Sequence, residues 1–378
     1  EACDDGNTVS GDGCTSTCVI ERRDAFKLDA EYGHVLDRLG FSVSVHENTA
    51  LVGAAYDDVP DLDSGSVTIY VLDASGKEWV LAQTVSPSDG AIHGNFGYSV
   101  SLYRSTGLVG APGYGSVYVL VGSRNNTEWQ QVSKLTGGSG FGWSVSLYET
   151  TAVISSLSLR SAYVYVGSHN STSWQQVATL LASDNTANNE FGKSVSVHEH
   201  TVLVGAPKRN AAYVSKGNHN NSEWVEVYKL TGSVAAWDSR FGCSVSISES
   251  TAVIGAPLSG SSAAYVFMGT HNNTEWAEVW RLTASDLPST GSHTIRLFGS
   301  PVVIHENTLV IGTVFDSDYY THSVGVYVFK GSDNNTKWQE VYKLRHASGH
   351  HTDYLGWSVS LYGNRVLAGA PFEDNLFE

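Results

Sequence analysis

The chain has 378 residues and a formal charge of -16 at pH 7, with 41% apolar but only 16% charged residues. About a quarter of an average globular chain is charged, so the polar surface here must be built from Ser, Thr, Asn and Gly, the composition of a turn-rich β protein. The negative charge argues against a nucleic-acid partner, and no apolar run approaches the roughly 20 residues of a bilayer span.

The first 18 residues, EACDDGNTVSGDGCTSTC, hold Cys3, Cys14 and Cys18 and are too rich in Gly and Asp to fold around an apolar core. No CxxC pair and no nearby His supports zinc. Disulfides formed in an oxidising compartment are expected, with their pairing open. The stretch resembles the short cysteine-rich repeats of secreted microbial proteins, without the upstream cysteine of that pattern. Opening in mid-motif at Glu1 with no leader, the chain reads as a processed or partial one, with a stub over residues 1–18 and a second domain over 19–378.

From Val19 onward one unit recurs. Gly40, Gly97, Gly142, Gly192, Gly242, Gly299 and Gly356 each open a run of the F-G-x-S-V-S type, at spacings of 45 to 57 residues. Thirteen residues after each stands Gly-Ala-Pro or a variant, from Gly53-Ala54-Ala55 to Gly369-Ala370-Pro371, a fixed interval that predicts two strands and a tight turn. A third run rich in β-branched and aromatic residues follows, such as VYVLV or AYVFM, and a fourth is anchored by Trp79, Trp129, Trp174, Trp224, Trp276 or Trp338. Four short strands at this period predict an all-β fold, a seven-bladed β-propeller of four-stranded antiparallel blades. The paired marks resemble FG-GAP repeats, the units of the integrin α-subunit propeller, over about residues 20 to 378. Integrin-type repeats often hold calcium in an Asp-rich loop between the first two strands. Here that turn reads H-E-N-T, Y-R-S-T and the like, so the resemblance implies no calcium loop.

Fourth strands end 12 residues before the next repeat glycine, as Leu180 does before Gly192, and Leu28 stands 12 before Gly40. Residues 23–28 are therefore expected to form the outer strand of the seventh blade and close the ring. Glu378 is reached before any seventh V-Y-V run, so that blade would lack its third strand. A longer chain, a tail that doubles back or a strand donated by another polypeptide would each fill the slot, and the mid-motif start favours the first.

Sequons at Asn125, Asn170, Asn220, Asn272 and Asn334 each lie four residues before a blade's Trp, in the turn between third and fourth strands. One structural site used five times argues for N-glycosylation, while Asn also suits the turn itself. Sugar would crowd one face. The long variable loops of the other are expected to bind, and by resemblance to integrins that is the ligand face. Asp57, Asp58, Asp61 and Asp63 could wrap Ca²⁺, yet their order misses the EF-hand pattern and a solvated acidic loop explains them. His346, His350, His351 and Asp353 permit a metal but read as a polar loop. His46, His198 and His305 share a slot with Tyr103, Tyr148, Ser248 and Tyr362, which marks packing rather than a catalytic base. The Gly-x-Ser runs lack the second Gly of a nucleophile turn. Cys243, in the slot of Tyr98, Trp143 and Lys193, reads as a free thiol.

No nucleophile, base and oxyanion donors converge in the sequence. The expectation is a non-enzymatic extracellular glycoprotein, an adhesion or assembly module of a cell-surface coat or fibre whose partners are other proteins or its own copies. The alternative is a lectin-like or other ligand-binding propeller using loop aromatics such as Trp237. A glycan-active enzyme is third, since it would need carboxylates near the channel and the inner strands offer Ser and Val.

Overall fold

The computed structural model describes residues 27–28, 37–58, 61–90, 92–168, 172–184, 189–234, 238–258, 262–285, 295–316, 325–344 and 354–372. Two compact units divide the chain, Glu1–Glu31 and Tyr32–Glu378. Of the first, Lys27 and Leu28 are described, and neither lies in a strand.

In the second unit the apolar and β-branched runs form strands in chain order. Blade 1 comprises β1 (Leu39–His46), β2 (Thr49–Ala54), β3 (Ser66–Leu72) and β4 (Trp79–Val85), and blade 2 comprises β5 (Ser99–Tyr103), β6 (Thr106–Ala111), β7 (Ser116–Gly122) and β8 (Trp129–Thr136). Blade 3 has β9 (Phe141–Tyr148), β10 (Thr151–Ser156), β11 (Ser161–Gly167) and β12 (Trp174–Leu180); blade 4 has β13 (Val195–His198), β14 (Thr201–Ala206), β15 (Ala211–Gly217) and β16 (Trp224–Leu230). Blade 5 has β17 (Ser244–Ser248), β18 (Thr251–Ala256), β19 (Ala263–Gly269) and β20 (Trp276–Leu282); blade 6 has β21 (Ile295–His305), β22 (Thr308–Asp316), β23 (Gly325–Ser332) and β24 (Lys337–Leu344). A two-stranded sheet, β25 (Ser358–Tyr362) and β26 (Arg365–Gly369), follows. Within each blade the strands pair antiparallel in sequence order. Among the described residues the expected count of seven four-stranded blades is thus corrected to six. There β26 pairs with β25 alone, and residues 23–26 of the expected closing strand lie outside the described residues.

The two sequence marks turn out to be the two sides of one seam between blades. Each repeat glycine has φ between 89° and 99°, a left-handed backbone that a residue with a Cβ adopts only at a cost. Its carbonyl oxygen lies against the second-mark glycine of the preceding blade. Gly97 abuts Gly53, Gly142 abuts Gly110, Gly242 abuts Gly205, Gly299 abuts Gly255, Gly356 abuts Gly312 and Gly40 abuts Gly369, and a Cβ on the latter glycine would overlap that oxygen. The first serine of S-V-S donates to the same oxygen: Ser42 to Gly97 at 2.7 Å, Ser99 to Gly142 at 2.9 Å, Ser194 to Gly242 at 3.2 Å and Ser358 to Gly40 at 2.7 Å.

The second serine, two residues on and so on the same face of its strand, accepts a backbone N–H from the next inner strand. Leu102 donates to Ser44, Leu147 to Ser101, Val197 to Ser146, Ile247 to Ser196, Ile304 to Ser246 and Val45 to Ser360, at 2.9 to 3.1 Å. These N–H groups lie on the free edge of each inner strand and would otherwise have no strand partner. Because Ser358 and Ser360 bind blade 1 as Ser42 and Ser44 bind blade 2, and an apolar cluster joins Val310 and Val326 to Leu361, the two-stranded sheet stands in the ring between blades 6 and 1.

Apolar clusters fill the space between sheets, as where Leu51, Val67 and Ile69 meet Phe96, Leu102 and Tyr118. The Phe of each mark is fully buried at Phe96, Phe191, Phe241 and Phe298. There it packs edge-on against the third-strand tyrosine, Tyr118, Tyr213, Tyr265 or Tyr327, with centroids 5.1 to 5.5 Å apart.

Candidate functional site

The alternation of strands puts the residue after each repeat glycine at one mouth of the channel and the last residue of each inner strand at the other. At the first mouth the rings form an arc. Phe41 lies 5.6 Å from Trp357 and 5.0 Å from Tyr98, which lies 4.8 Å from Trp143. Lys193 Nζ continues the circle 4.7 Å above the Trp143 ring, and Cys243 and Ser300 follow with Sγ and Oγ 3.8 Å apart. Tyr56 and Phe372 widen the arc, with the Arg38 guanidinium 4.2 and 4.9 Å over their rings. All four arc residues are half-buried, and burial pushes the Tyr98 phenol well above its ordinary range. The arrangement offers flat apolar faces with two cations beside them, suited to an aromatic or apolar segment of a partner or to a sugar ring. Sequence reasoning missed this arc. The signal was the slot noted for Cys243, whose occupants Phe41, Tyr98, Trp143 and Trp357 are aromatic in four of seven repeats.

At the second mouth His46, Tyr103, Tyr148, His198, Ser248, His305 and Tyr362 form the corresponding circle. Neighbouring rings are packed at 4.3 to 5.2 Å. His46 Nδ1 accepts the Arg104 N–H at 3.2 Å and Ser248 Oγ accepts the Glu306 N–H at 3.0 Å, so this circle also ties blade to blade. Burial lowers the His46 pKa to about 4, outweighing the nearby Glu47 carboxylate, and lowers that of His198 as well. His46 is therefore neutral when folded, whereas in the unfolded chain it takes a proton near 6.5. Its contribution to stability is complete above pH 6.5 and is lost as the pH falls to about 4. His46→Tyr, the residue found at this slot in blades 2 and 3, should flatten the fall of Tm across that window; unchanged pH profiles would remove the linkage.

The sequon turns lie on this second face, since the third strand of each blade ends beside the first turn, as in the bond from Gly122 N–H to the Ser105 carbonyl. In each N-N-T/S turn it is the second asparagine that builds the structure. Asn126, Asn221, Asn273 and Asn335 have φ between 55° and 64°. Their side chains donate to Thr49, Thr151, Thr201 and Thr251 of the preceding blade at 2.9 to 3.2 Å, and their carbonyls accept the Trp129, Trp224, Trp276 and Trp338 indole N–H. The sequon asparagines Asn125, Asn220, Asn272 and Asn334 are exposed. In three of them Oδ1 accepts the hydroxyl of the sequon's own Thr127, Ser222 or Thr274. Asn170 lies outside the described residues.

Asp63 accepts His93 Nδ1 at 2.8 Å and Asp58 accepts the Asp63 N–H at 2.9 Å, so the acidic loop of blade 1 satisfies itself. Asp57 and Asp61 are not gathered with them, for among the described residues no group of three His, Cys, Asp or Glu side chains is arranged to hold a metal ion. Cys3, Cys14, Cys18, Trp237, His346, His350, His351 and Asp353 lie outside the described residues. The inner-strand serines are committed to the seams described above.

Fold and seams define a repeat propeller whose successive units are joined through paired glycines. The FG-GAP repeat model matches residues 23–70, 79–124, 174–221, 224–267 and 338–376, more than half of the chain, which belongs to the FG-GAP repeat family. No curated protein matches the sequence. Similar solved structures include the periplasmic gluconolactonase of Pseudomonas aeruginosa, with TM-score 0.55 and 12% identity over 80% of this chain and 84% of that one. A chain provisionally assigned as a 6-phosphogluconolactonase from Bacteroides uniformis ATCC 8492 gives 0.54 and 10% over 81% and 85%. A functionally unknown protein from Desulfotomaculum acetoxidans DSM 771 gives 0.53 and 11% over 79% and 80%. At such identities the likeness is one of fold. It nevertheless corrects the expectation of a non-enzymatic protein: two of these three neighbours are named as lactonases, so this architecture gives no ground for setting the chain apart from enzymes.

Proposed function

We propose that the chain is an extracellular glycoprotein whose propeller serves as an adhesion or assembly module of a cell-surface coat or fibre. The face of the N-N-T/S turns carries N-glycans, and the aromatic mouth on the opposite face takes other proteins of the assembly or further copies of the chain. The observation that carries this reading is the division of labour in the turns. The second asparagine is required by the backbone, whereas the exposed sequon asparagine has no bond beyond its own turn at Asn125, Asn220 and Asn272. Intact mass before and after amidase treatment tests it, with several glycans expected; an unmodified mass from native material overturns it. The aromatic mouth is tested by Trp357→Ala, which should weaken self-association or partner capture about tenfold or more while leaving Tm nearly unchanged.

The two-stranded sheet is, in the same proposal, the inner half of a seventh blade whose outer strand is residues 23–28. Support comes from the seam bonds of the two-stranded sheet, Ser358 to the Gly40 carbonyl and the Val45 N–H to Ser360, which repeat the links from blade 1 to blade 2. Slow amide exchange at residues 23–28 is expected, and exchange at random-coil rates would count against the closing strand. A second reading, a lectin-like propeller, is favoured by the arc of Phe41, Tyr98, Trp143 and Trp357; binding on a glycan array that survives Trp143→Ala would tell against it.

A further inference from the structure

The outer strands of blades 4, 5 and 6 differ from the others at one position. Four residues after the strand's Trp stand Tyr228, Trp280 and Tyr342, all aromatic and 36%, 37% and 43% exposed. The same position in blades 1, 2 and 3 holds Gln83, Ser133 and Ala178. Gln83 shows what it faces. Its Oε1 accepts the Trp129 N–H at 2.7 Å and its Nε2 donates to the Trp129 carbonyl at 3.2 Å, so the position leans on the start of the next blade's fourth strand. In blade 4 Tyr228 lines a groove of about 450 Å³ whose opposite wall is Met268, Thr270, Glu275 and Trp276 of blade 5. Those residues flank Asn272, and the Thr270 hydroxyl donates to Asn272 Oδ1 at 3.0 Å.

We infer that the exposed aromatics are docking platforms for the chain's own carbohydrate: the first sugar rings on Asn272 stack on Tyr228, and those on Asn334 stack on Trp280. A pyranose carries an apolar C–H face and a polar rim, which suits an aromatic face whose other side is wet. Placing sugar there would also cover aromatic surface that a soluble rim otherwise leaves open. Asn125 and Asn220 have Gln83 and Ala178 at the equivalent place, so sugars on them lack a platform and remain free. This inference rests on the glycosylation proposed above and adds where those glycans lie.

The experiment is timed release of glycans from the native protein by a peptide N-glycosidase, with site occupancy followed by glycopeptide mass spectrometry. Release at Asn272 and Asn334 should be roughly fivefold slower than at Asn125 and Asn220. Tyr228→Ala should speed release at Asn272 alone, Trp280→Ser at Asn334 alone, and Ala178→Tyr should slow release at Asn220. Because these positions are at the rim, the variants should fold as the parent does, which their melting curves check. Glycans present at Asn272 and Asn334 but released at rates indifferent to these substitutions overturn the stacking while leaving the glycoprotein reading intact. Bare asparagines at both sites overturn the inference, and bare asparagines at every sequon overturn the glycoprotein reading with it. Loss of a bound protein in the Tyr228 and Trp280 variants, with glycan release unchanged, would make the surface a protein dock and also overturn the inference.

Discussion

Gly255→Val should abolish stable folding, at a cost of about 4 kcal/mol or more. Its Cβ would fall on the Gly299 carbonyl group of the next blade, with the Gly299 Cα close behind. Both sides of this contact are backbone, so no rotamer relieves it and blade 6 must move away from blade 5. That motion pulls on the Val302 N–H to Ser244 bond of 2.9 Å and the Ile304 N–H to Ser246 bond of 3.0 Å, and opens the apolar cluster that joins Val253 and Val266 to Phe298 and Ile304. Gly76→Ala is the control. It too has a left-handed backbone, with φ of 71°, but nothing lies within 4 Å of its Cβ, and it should cost only about 1 kcal/mol. Urea denaturation of both variants, with soluble yield, makes the comparison. Near-parental stability of Gly255→Val would mean that the seam yields without breaking.

One seam shows how the chain accommodates a side chain at this place. In blade 3 the glycine is replaced by Ser155, fully buried. Its Oγ accepts the Ser144 N–H at 3.0 Å, and Ser144 Oγ, instead of donating to the next repeat glycine, accepts the Val195 N–H at 3.2 Å. The S-S-L that reads in sequence as a decayed mark is a seam in which the buried Ser155 side chain is accommodated by a hydroxyl that bonds back to Ser144. Valine at Gly255 brings none.

Much of the architecture was legible because its signals are local. Trp79, Trp129, Trp174, Trp224 and Trp276 are the first residues of β4, β8, β12, β16 and β20, and the thirteen-residue interval gave every first and second strand. What was not legible depends on neighbours in space. Gly53 and Gly97 recur as marks in the line of sequence, but that one exists to admit the other's carbonyl appears only when the blades are face to face. The aromatic arc was hidden for a related reason. A slot that holds Phe41, Tyr98, Trp143, Lys193, Cys243, Ser300 and Trp357 looks merely tolerant when repeats are aligned, because alignment stacks positions that the ring sets side by side. The sequons were readable as a pattern, yet the separate roles of Asn125 and Asn126 needed the left-handed turn and the cross-blade bond to Thr49.

Ser246→Ala should destabilise the protein by about 2 kcal/mol, far more than its loss of a single oxygen suggests. Ser246 and Ile304 are 7% and 5% exposed, so the Ile304 N–H left behind would be largely shut off from solvent and from any strand partner. Ser246→Thr keeps the hydroxyl and should recover most of the loss. Ser44→Ala, which removes the acceptor for Leu102 at the seam of blades 1 and 2, should add its own decrement to that of Ser246→Ala, as independent sites do. Denaturant midpoints of the two single variants and the double variant test this, and a Ser246→Ala midpoint equal to the parent's would show that the channel supplies water to the orphaned N–H. The chain has dispensed with this device at one seam only. Blade 6 carries Pro301 and Val303 where other blades carry the two serines, and Val303 joins Val310, Val326, Val359 and Leu361 in an apolar contact with the two-stranded sheet. That seam is held by apolar packing and by the Gly312 to Gly356 approach, without hydroxyl links of the S-V-S kind. It should therefore be the first to open, and amide exchange in β25 and β26 should outpace exchange in the inner strands of blades 2 to 5 as denaturant is raised.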